Sequence, residues 1–218
     1  MRLSHTILVA TILTSTALLV AASPRLGADQ KAQKAAVATV GQAAPEFTLT
    51  GVDGKIYNLA DYKGNTVVIE WICSSCPASG SGASSYWGSG TASKTVTEMK
   101  TADAGAVYLT IDSTKDGHQG KTSAEEGSAA SAVISKAGQS VPVLLDPDGK
   151  IGHSYGAKTT PHIFIVNGTG TVAYIGAPTN DDGSTNYIVN AVTAIKAGKP
   201  VEPSTTKNKG CGVKYASK

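Results

Sequence analysis

Two cysteines three residues apart are followed at once by proline in the stretch Glu70-Trp71-Ile72-Cys73-Ser74-Ser75-Cys76-Pro77. A thiol pair at this spacing closes into a disulfide with little chain to order. It reopens by attack of a thiolate, so the chemistry on offer is exchange of electron pairs through sulfur. The thiolate is favoured where the unpaired amides of a helix N-terminus face the sulfur. The plain alternative for Cys73 and Cys76 is a purely structural disulfide. Three residues before Cys73, Glu70 stands in an apolar run. Burial there would raise its pKa and suit it to accept a thiol proton, whereas a half-exposed strand-end glutamate would have no such role. A third cysteine, Cys211, lies near the end of the chain. It can resolve an oxidised Cys76, pair with a partner, or stay free, and spacing alone does not choose.

Hydrophobic periodicity gives the elements that must position these groups. Residues 66–72 are short, apolar and rich in β-branched side chains, and they follow the turn signal Lys63-Gly64-Asn65. They predict a buried strand that ends at the cysteines. The stretch 78–90 carries four glycines among serines, each costing a helix about 1 kcal/mol relative to alanine. The expectation there is a short or irregular helical turn, or a surface loop, with a better helix only from 93 to 101. Residues 105–111 form a second buried strand. Thr122-Ser123-Ala124-Glu125 is a capping box opening a helix that runs to 137. A third strand over 141–145 ends in the turn Asp146-Pro147-Asp148-Gly149, whose acid spacing does not fit a calcium loop.

Residues 163–166 and 171–175 alternate around Asn167-Gly168-Thr169-Gly170 as a hairpin, which explains that tripeptide without a sugar. Tyr187, Ile188, Ala191, Val192 and Ile195 recur at helical spacing, so a last helix spans 184–197, stopped by Gly198 and Pro200. Upstream, 47–49 and 55–59 pair around Val52-Asp53-Gly54. The fold class is α/β: a mixed central sheet with helices on both faces and an N-terminal β-hairpin extension.

The 218 residues are 41% hydrophobic and 16% charged, enough for one packed domain with extensions. A net charge of +3 with few aromatics excludes a nucleic-acid binder. Arg2 and His5 precede an apolar run over 7–22 that ends in small residues, the pattern of a signal peptide cleaved near 22 or 28. An uncleaved anchor is the alternative, though the run is diluted by threonine and serine. The region holds no cysteine for a lipid and no Arg-Arg pair. The expected organisation is signal peptide 1–22, linker 23–40, redox domain 41–198 and an extended tail 199–218 with Cys211. The protein is expected to be exported, to the periplasm or outside the cell, with no stable membrane contact once the signal peptide is cleaved.

The chain also resembles the redoxin branch of the thioredoxin superfamily, which holds the alkyl hydroperoxide reductase/thiol-specific antioxidant proteins. The resemblance rests on Ala44-Pro45-Glu46-Phe47-Thr48-Leu49, Asp53-Gly54-Lys55, Leu59-Ala60-Asp61-Tyr62-Lys63-Gly64 and the cysteine stretch. Further support comes from Leu144-Leu145-Asp146-Pro147-Asp148-Gly149-Lys150, from Tyr155-Gly156-Ala157-Lys158-Thr159-Thr160-Pro161-His162, and from Gly210-Cys211-Gly212-Val213-Lys214-Tyr215. It implies a thioredoxin-like fold, with Cys73 as the attacking thiol and Cys76 as the thiol that resolves the mixed disulfide. It also implies a cis Thr160-Pro161 bond against which an extended substrate docks.

Typical peroxiredoxins hold the peroxidatic thiolate with an arginine and place a threonine or serine three residues before it. Here the only arginines are Arg2 and Arg25, and that position is Cys73. The expected activity is therefore thiol-disulfide exchange with a protein disulfide or dithiol partner and no bound cofactor. The alternative is a peroxiredoxin-like peroxidase using Cys76 with Cys211, with peroxide as substrate. A third reading is copper handling by the cysteine pair with His153 or His162, against which the short cysteine spacing counts.

Overall fold

A computed structural model describes residues 37–216. The proposed signal peptide and most of the linker lie outside the described residues. The chain begins with β1 (Thr48–Gly51) and β2 (Ile56–Asn58), then a 3-10 turn (Leu59–Tyr62) and β3 (Val67–Trp71). After a loop come α1 (Thr91–Ala102), β4 (Val107–Asp112), α2 (Ser123–Lys136), β5 (Val143–Leu145) and α3 (Lys150–Tyr155). The remainder is β6 (Thr159–Thr160), β7 (His162–Val166), β8 (Val172–Gly176), α4 (Tyr187–Lys196) and β9 (Cys211–Gly212).

Seven strands form one mixed sheet in the order β2-β1-β5-β4-β3-β7-β8. β3, β4 and β5 run parallel, as the helical crossovers between them require, and β7 and β1 flank them antiparallel. β3 lies inside the sheet with both neighbours bonded along its length, and all five of its residues are buried. Its alternation sends Val68 to the apolar cluster under α1, α2 and α4, and Val67, Ile69 and Trp71 to the cluster that includes Tyr155 of α3. Helices therefore cover both faces. Trp71 packs with Tyr155 and Phe164, each with ring centroids 5.2 Å away, and its indole N–H donates to Ser113 Oγ at 3.0 Å. A buried tryptophan with its N–H satisfied fixes the end of β3 without leaving a desolvated donor.

The local signals act where the sequence puts them. Thr122 accepts from the Glu125 amide while the Glu125 carboxylate accepts from the Thr122 amide, so the capping box opens α2. Asn186 caps α4 by accepting from the Val189 amide. Two features depart from the expectation. A six-residue helix, α3, follows the Asp146–Gly149 turn; Asp146 accepts from the Ile151 and Gly152 amides at 3.1 and 2.8 Å and so holds its first turn. The tail is not merely extended: its residues Cys211–Gly212 pair antiparallel with β6.

Candidate active site

The backbone hydrogen bond from the Ile72 amide to the Ile111 carbonyl carries the edge of β3 one residue further. The chain then turns sharply, with the Cys76 amide donating to the Cys73 carbonyl at 3.2 Å. No helix starts here. The loop folds back on itself instead, the Gly80 amide donating to the Cys76 carbonyl at 2.8 Å. A Cβ on Gly80 would collide with the Ser74 carbonyl, which is why a small, glycine-rich stretch follows the cysteines. The first regular helix after them is α1.

Cys76 is disulfide-bonded to Cys211, across 135 residues, with Cα atoms 6.2 Å apart. Two strands bring Cys211 there: the β6–β9 register sets Cys211 opposite Thr160 and Gly212 opposite Thr159. The Val213 amide extends the pairing to the Lys158 carbonyl, and the Tyr215 hydroxyl donates to the Ala157 carbonyl at 2.8 Å. The Thr160-Pro161 peptide bond is cis. Cys76 Sγ lies 3.4 Å from the Thr160 carbonyl oxygen and accepts from the Ala78 amide at 3.3 Å. A cavity of about 270 Å³ opens on this group, lined by Cys73, Cys76, His118, Thr160, Cys211 and Lys214 among others. Cys76 is buried, whereas Cys211 is half-exposed at the tail.

Cys73 is a free thiol with only 4% of its surface exposed. Its Sγ sits 3.3 Å from Ser75 Oγ and donates to Glu126 Oε1 at 3.4 Å. Burial pushes the thiol pKa up, and the charges of Glu126 and Asp112 push the same way against the Ser75 hydrogen bond. Glu126, from α2, also accepts from Ser74 Oγ at 2.6 Å, the Ser75 amide at 3.0 Å and Lys121 Nζ at 3.3 Å. Burial alone would raise its pKa. The hydrogen bonds from Ser74, Ser75, Lys121 and Cys73 outweigh burial and hold it at about 2. Glu126 is thus an anion at neutral pH that pins the Ser74-Ser75 turn and sheathes Cys73.

Glu70 is placed elsewhere. It is fully buried in mid-strand and accepts from Trp87 Nε1 at 3.1 Å and the Tyr108 hydroxyl at 2.9 Å. Burial raises its pKa to about 8, against the pull of those bonds. None of its hydrogen bonds reaches a cysteine. The structure therefore gathers Cys73, Cys76, Cys211, Thr160 and Pro161 at one place and leaves Glu70 in the core. His162 Nδ1 accepts from the Lys158 amide at 3.2 Å, and burial, with Lys158 beside it, lowers its pKa to about 4. His153 stacks on Tyr215 at 4.2 Å. Among the described residues no three His, Cys, Asp or Glu side chains are grouped to hold a metal ion.

A sequence profile described as the AhpC/TSA family matches residues 40–175. The chain belongs to the AhpC/TSA family. Two solved structures match most of it. A hypothetical protein from Sinorhizobium meliloti is 21% identical over 83% of this chain and 96% of its own, with a TM-score of 0.68. An uncharacterised conserved protein from Geobacillus kaustophilus is 24% identical over 83% and 94%, also at 0.68. A secreted Mycobacterium tuberculosis disulfide oxidoreductase matches at 16% identity over 70% and 95%, with a TM-score of 0.46. No curated protein matches the chain. The fold is thioredoxin-like, as the order of redoxin motifs implied.

Two participants in this AhpC/TSA site escaped sequence reasoning. Glu126 follows the Glu of the capping box, and a second glutamate in a helix's first turn reads as a dipole-compensating surface charge. Only the fold turns it toward Cys73. Asp112 ends β4 with Oδ1 accepting from the Thr114 amide at 2.8 Å and Oδ2 unpartnered. Burial raises its pKa to about 6. A carboxylate closing an apolar strand was the available signal for it.

Proposed function

We propose that this protein is an exported thiol-disulfide oxidoreductase whose reactive bond is the Cys76–Cys211 disulfide, with Cys73 as an inner thiol of the same site. The observation that carries the reading is that bridge, closed between a loop beside cis-Pro161 and the paired tail. Cys211 is the more exposed of its two cysteines. A partner thiolate attacks Cys211 Sγ, and Cys76 leaves as a thiolate. A second partner thiol then displaces Cys211 from the mixed disulfide. The partner becomes a disulfide and the protein gains two electrons and two protons. The reverse sequence reduces a partner disulfide. The exported location rests on the N-terminal apolar run and on a disulfide being kept at the site, which suits an oxidising compartment.

The same bridge favours a second reading. A peroxidatic Cys76 thiolate attacks peroxide to give a sulfenic acid, and Cys211 condenses with it, expelling water and leaving this disulfide. The lack of any arginine after Arg25 weighs against it, since a lysine supplies charge without the planar fork.

One experiment separates the two. The reduced protein is given either oxidised glutathione or one equivalent of hydrogen peroxide, and Cys76–Cys211 formation is followed by quenching and peptide mass spectrometry. Faster closure with the disulfide oxidant, abolished in Cys76→Ser and Cys211→Ser, is expected. Closure within seconds by peroxide and not by glutathione disulfide would make the protein a peroxidase. Exchange that survives in Cys76→Ser would overturn the assignment of the reactive bond.

A further inference from the structure

The site contains one more sulfur than either reading uses. Cys73 is buried, reduced and on the wall of the same cavity as the bridge. The 73–76 segment is a turn closed by the Cys76 amide on the Cys73 carbonyl. Such a turn keeps its end Cα atoms under about 7 Å, within the span a disulfide covers. Cys76 therefore has two cysteines within reach, one on its own turn and one on the tail.

We propose that Cys76 has two alternative disulfide partners at one oxidation level, Cys211 and Cys73, and that Glu126 is the positioning residue that keeps Cys73 waiting. This rests on the reading that Cys76–Cys211 is the reactive bond. In the exchange, Cys73 loses its proton to solvent and its thiolate attacks Cys76 Sγ. The Cys73–Cys76 bond forms, the Cys76–Cys211 bond breaks, and Cys211 leaves as a thiolate that takes up a proton. No external oxidant or reductant is consumed.

The consequence is positional. With Cys76–Cys211 closed, the free thiol is sheathed by Glu126. With Cys73–Cys76 closed, the free thiol is Cys211, and the tail is held without a covalent bond, by the β9–β6 pairing, the Val213 amide on the Lys158 carbonyl and the Tyr215 hydroxyl on the Ala157 carbonyl. The tail is then offered to a partner with its thiol freed, while the loop that carries Cys76 loses its covalent tie to β9.

Glu126 sets the barrier by geometry. Its Oε1 accepts the Cys73 S–H and also the Ser74 hydroxyl and Ser75 amide, so the thiol is held protonated and turned toward α2. A thiolate would face that carboxylate directly. The other charged and titratable groups around Cys73 are Asp112 at the end of β4, Lys121 paired with Glu126, and His118 and Lys214 on the cavity wall. Lys121 is already committed to the carboxylate.

The test uses the oxidised protein, which holds one free thiol per chain, in oxygen-free buffer without reductant. Iodoacetamide is added from about pH 6 to 9, spanning the ordinary thiol range, and the labelled cysteine and remaining bridge are identified by mass spectrometry. The expected label is on Cys211 with a Cys73–Cys76 bridge, at a rate that rises with pH. In Glu126→Gln the rate near neutral pH rises about tenfold, the effect of a thiol pKa one unit lower, and the rate profile moves to lower pH. Glu126→Asp, which keeps the charge but draws it back by one methylene, falls between the wild type and Glu126→Gln. Label on Cys73 with Cys76–Cys211 intact, no label in the folded protein, or equal rates in wild type and Glu126→Gln would each overturn the proposal. Failure of the reactive-bond assignment is read separately, as glutathione exchange that persists in Cys76→Ser.

Discussion

Gly210 crosses the Thr160–Pro161 peptide so closely that a Cβ at position 210 would overlap the Thr160 carbonyl oxygen. Its φ of 146° is one that side chains rarely adopt. The next residue, Cys211, is the one bonded to Cys76. The tail thus reaches the buried sulfur because the residue before the cysteine has no side chain. Gly212, on the other side of Cys211, has its nearest atom at 4.0 Å and no such constraint.

Gly210→Ala should therefore loosen the bridge while Gly212→Ala leaves it unchanged. A strained backbone position costs on the order of 1–3 kcal/mol, so the Cys76–Cys211 dithiol-disulfide equilibrium in a dithiothreitol titration should shift about fivefold or more toward the dithiol. Equal midpoints for the two variants would show that the close pass does not position Cys211.

The bridge closes a loop of 135 residues, and native cross-links stabilise by about 2–5 kcal/mol, chiefly through the unfolded chain and most for long loops. Cys211→Ser and Cys76→Ser should each lower the urea unfolding free energy by that amount. Cys73→Ser should change it by less than about 1 kcal/mol, since a hydroxyl can still donate to Glu126. A loss of the bridge's size in Cys73→Ser with none in Cys211→Ser would mean that Cys73, not Cys211, carries the cross-link.

Much of this arrangement is legible in the sequence where a local rule acts alone. The strand at 66–72, the capping box at Thr122 and the spacing of Ile188, Ala191 and Val192 each encode their own element. The glycines of 78–90 encode the missing helix. What is not legible needs two distant segments at once. Nothing in Lys209-Gly210-Cys211-Gly212 says that it pairs with Thr159-Thr160, because a two-residue strand has no periodicity to read. Glu70 and Glu126 show the same limit in opposite senses. The first stands near the cysteines in sequence and the fold turns it into the core. The second is about fifty residues away, and the fold brings it to Cys73 at 3.4 Å.

Glu70 gives stability a falling pH dependence. Its folded pKa, about 8, lies above its ordinary value, so the folded state holds a proton that the unfolded chain releases. Its contribution is complete below the ordinary carboxylate value and is lost as pH rises to about 8. Glu70→Gln, neutral at every pH and still an acceptor for Tyr108 or Trp87, removes that loss. Urea melts from about pH 5 to 8 should show the wild type losing roughly 1.4 kcal/mol per pH unit relative to Glu70→Gln. Parallel curves would place the ionised form of Glu70 in the folded core.

Glu126 acts with the opposite sign. Its folded pKa of about 2 lies below the ordinary value, so its contribution is present above that value and fades as pH falls toward 2. Glu126→Gln should be less stable than wild type at neutral pH, by at most about 3 kcal/mol, and the difference should close between about pH 5 and 2. The limit is an upper one because the amide oxygen that replaces the carboxylate still accepts from the Ser74 hydroxyl and the Ser75 amide. Lys121→Ala should reproduce a smaller part of the effect over the same range, since Lys121 Nζ is 3.3 Å from the carboxylate and half exposed. A deficit in Glu126→Gln that stayed constant across the whole acid range would mean that shape, not charge, is what Glu126 contributes to the Cys73 turn.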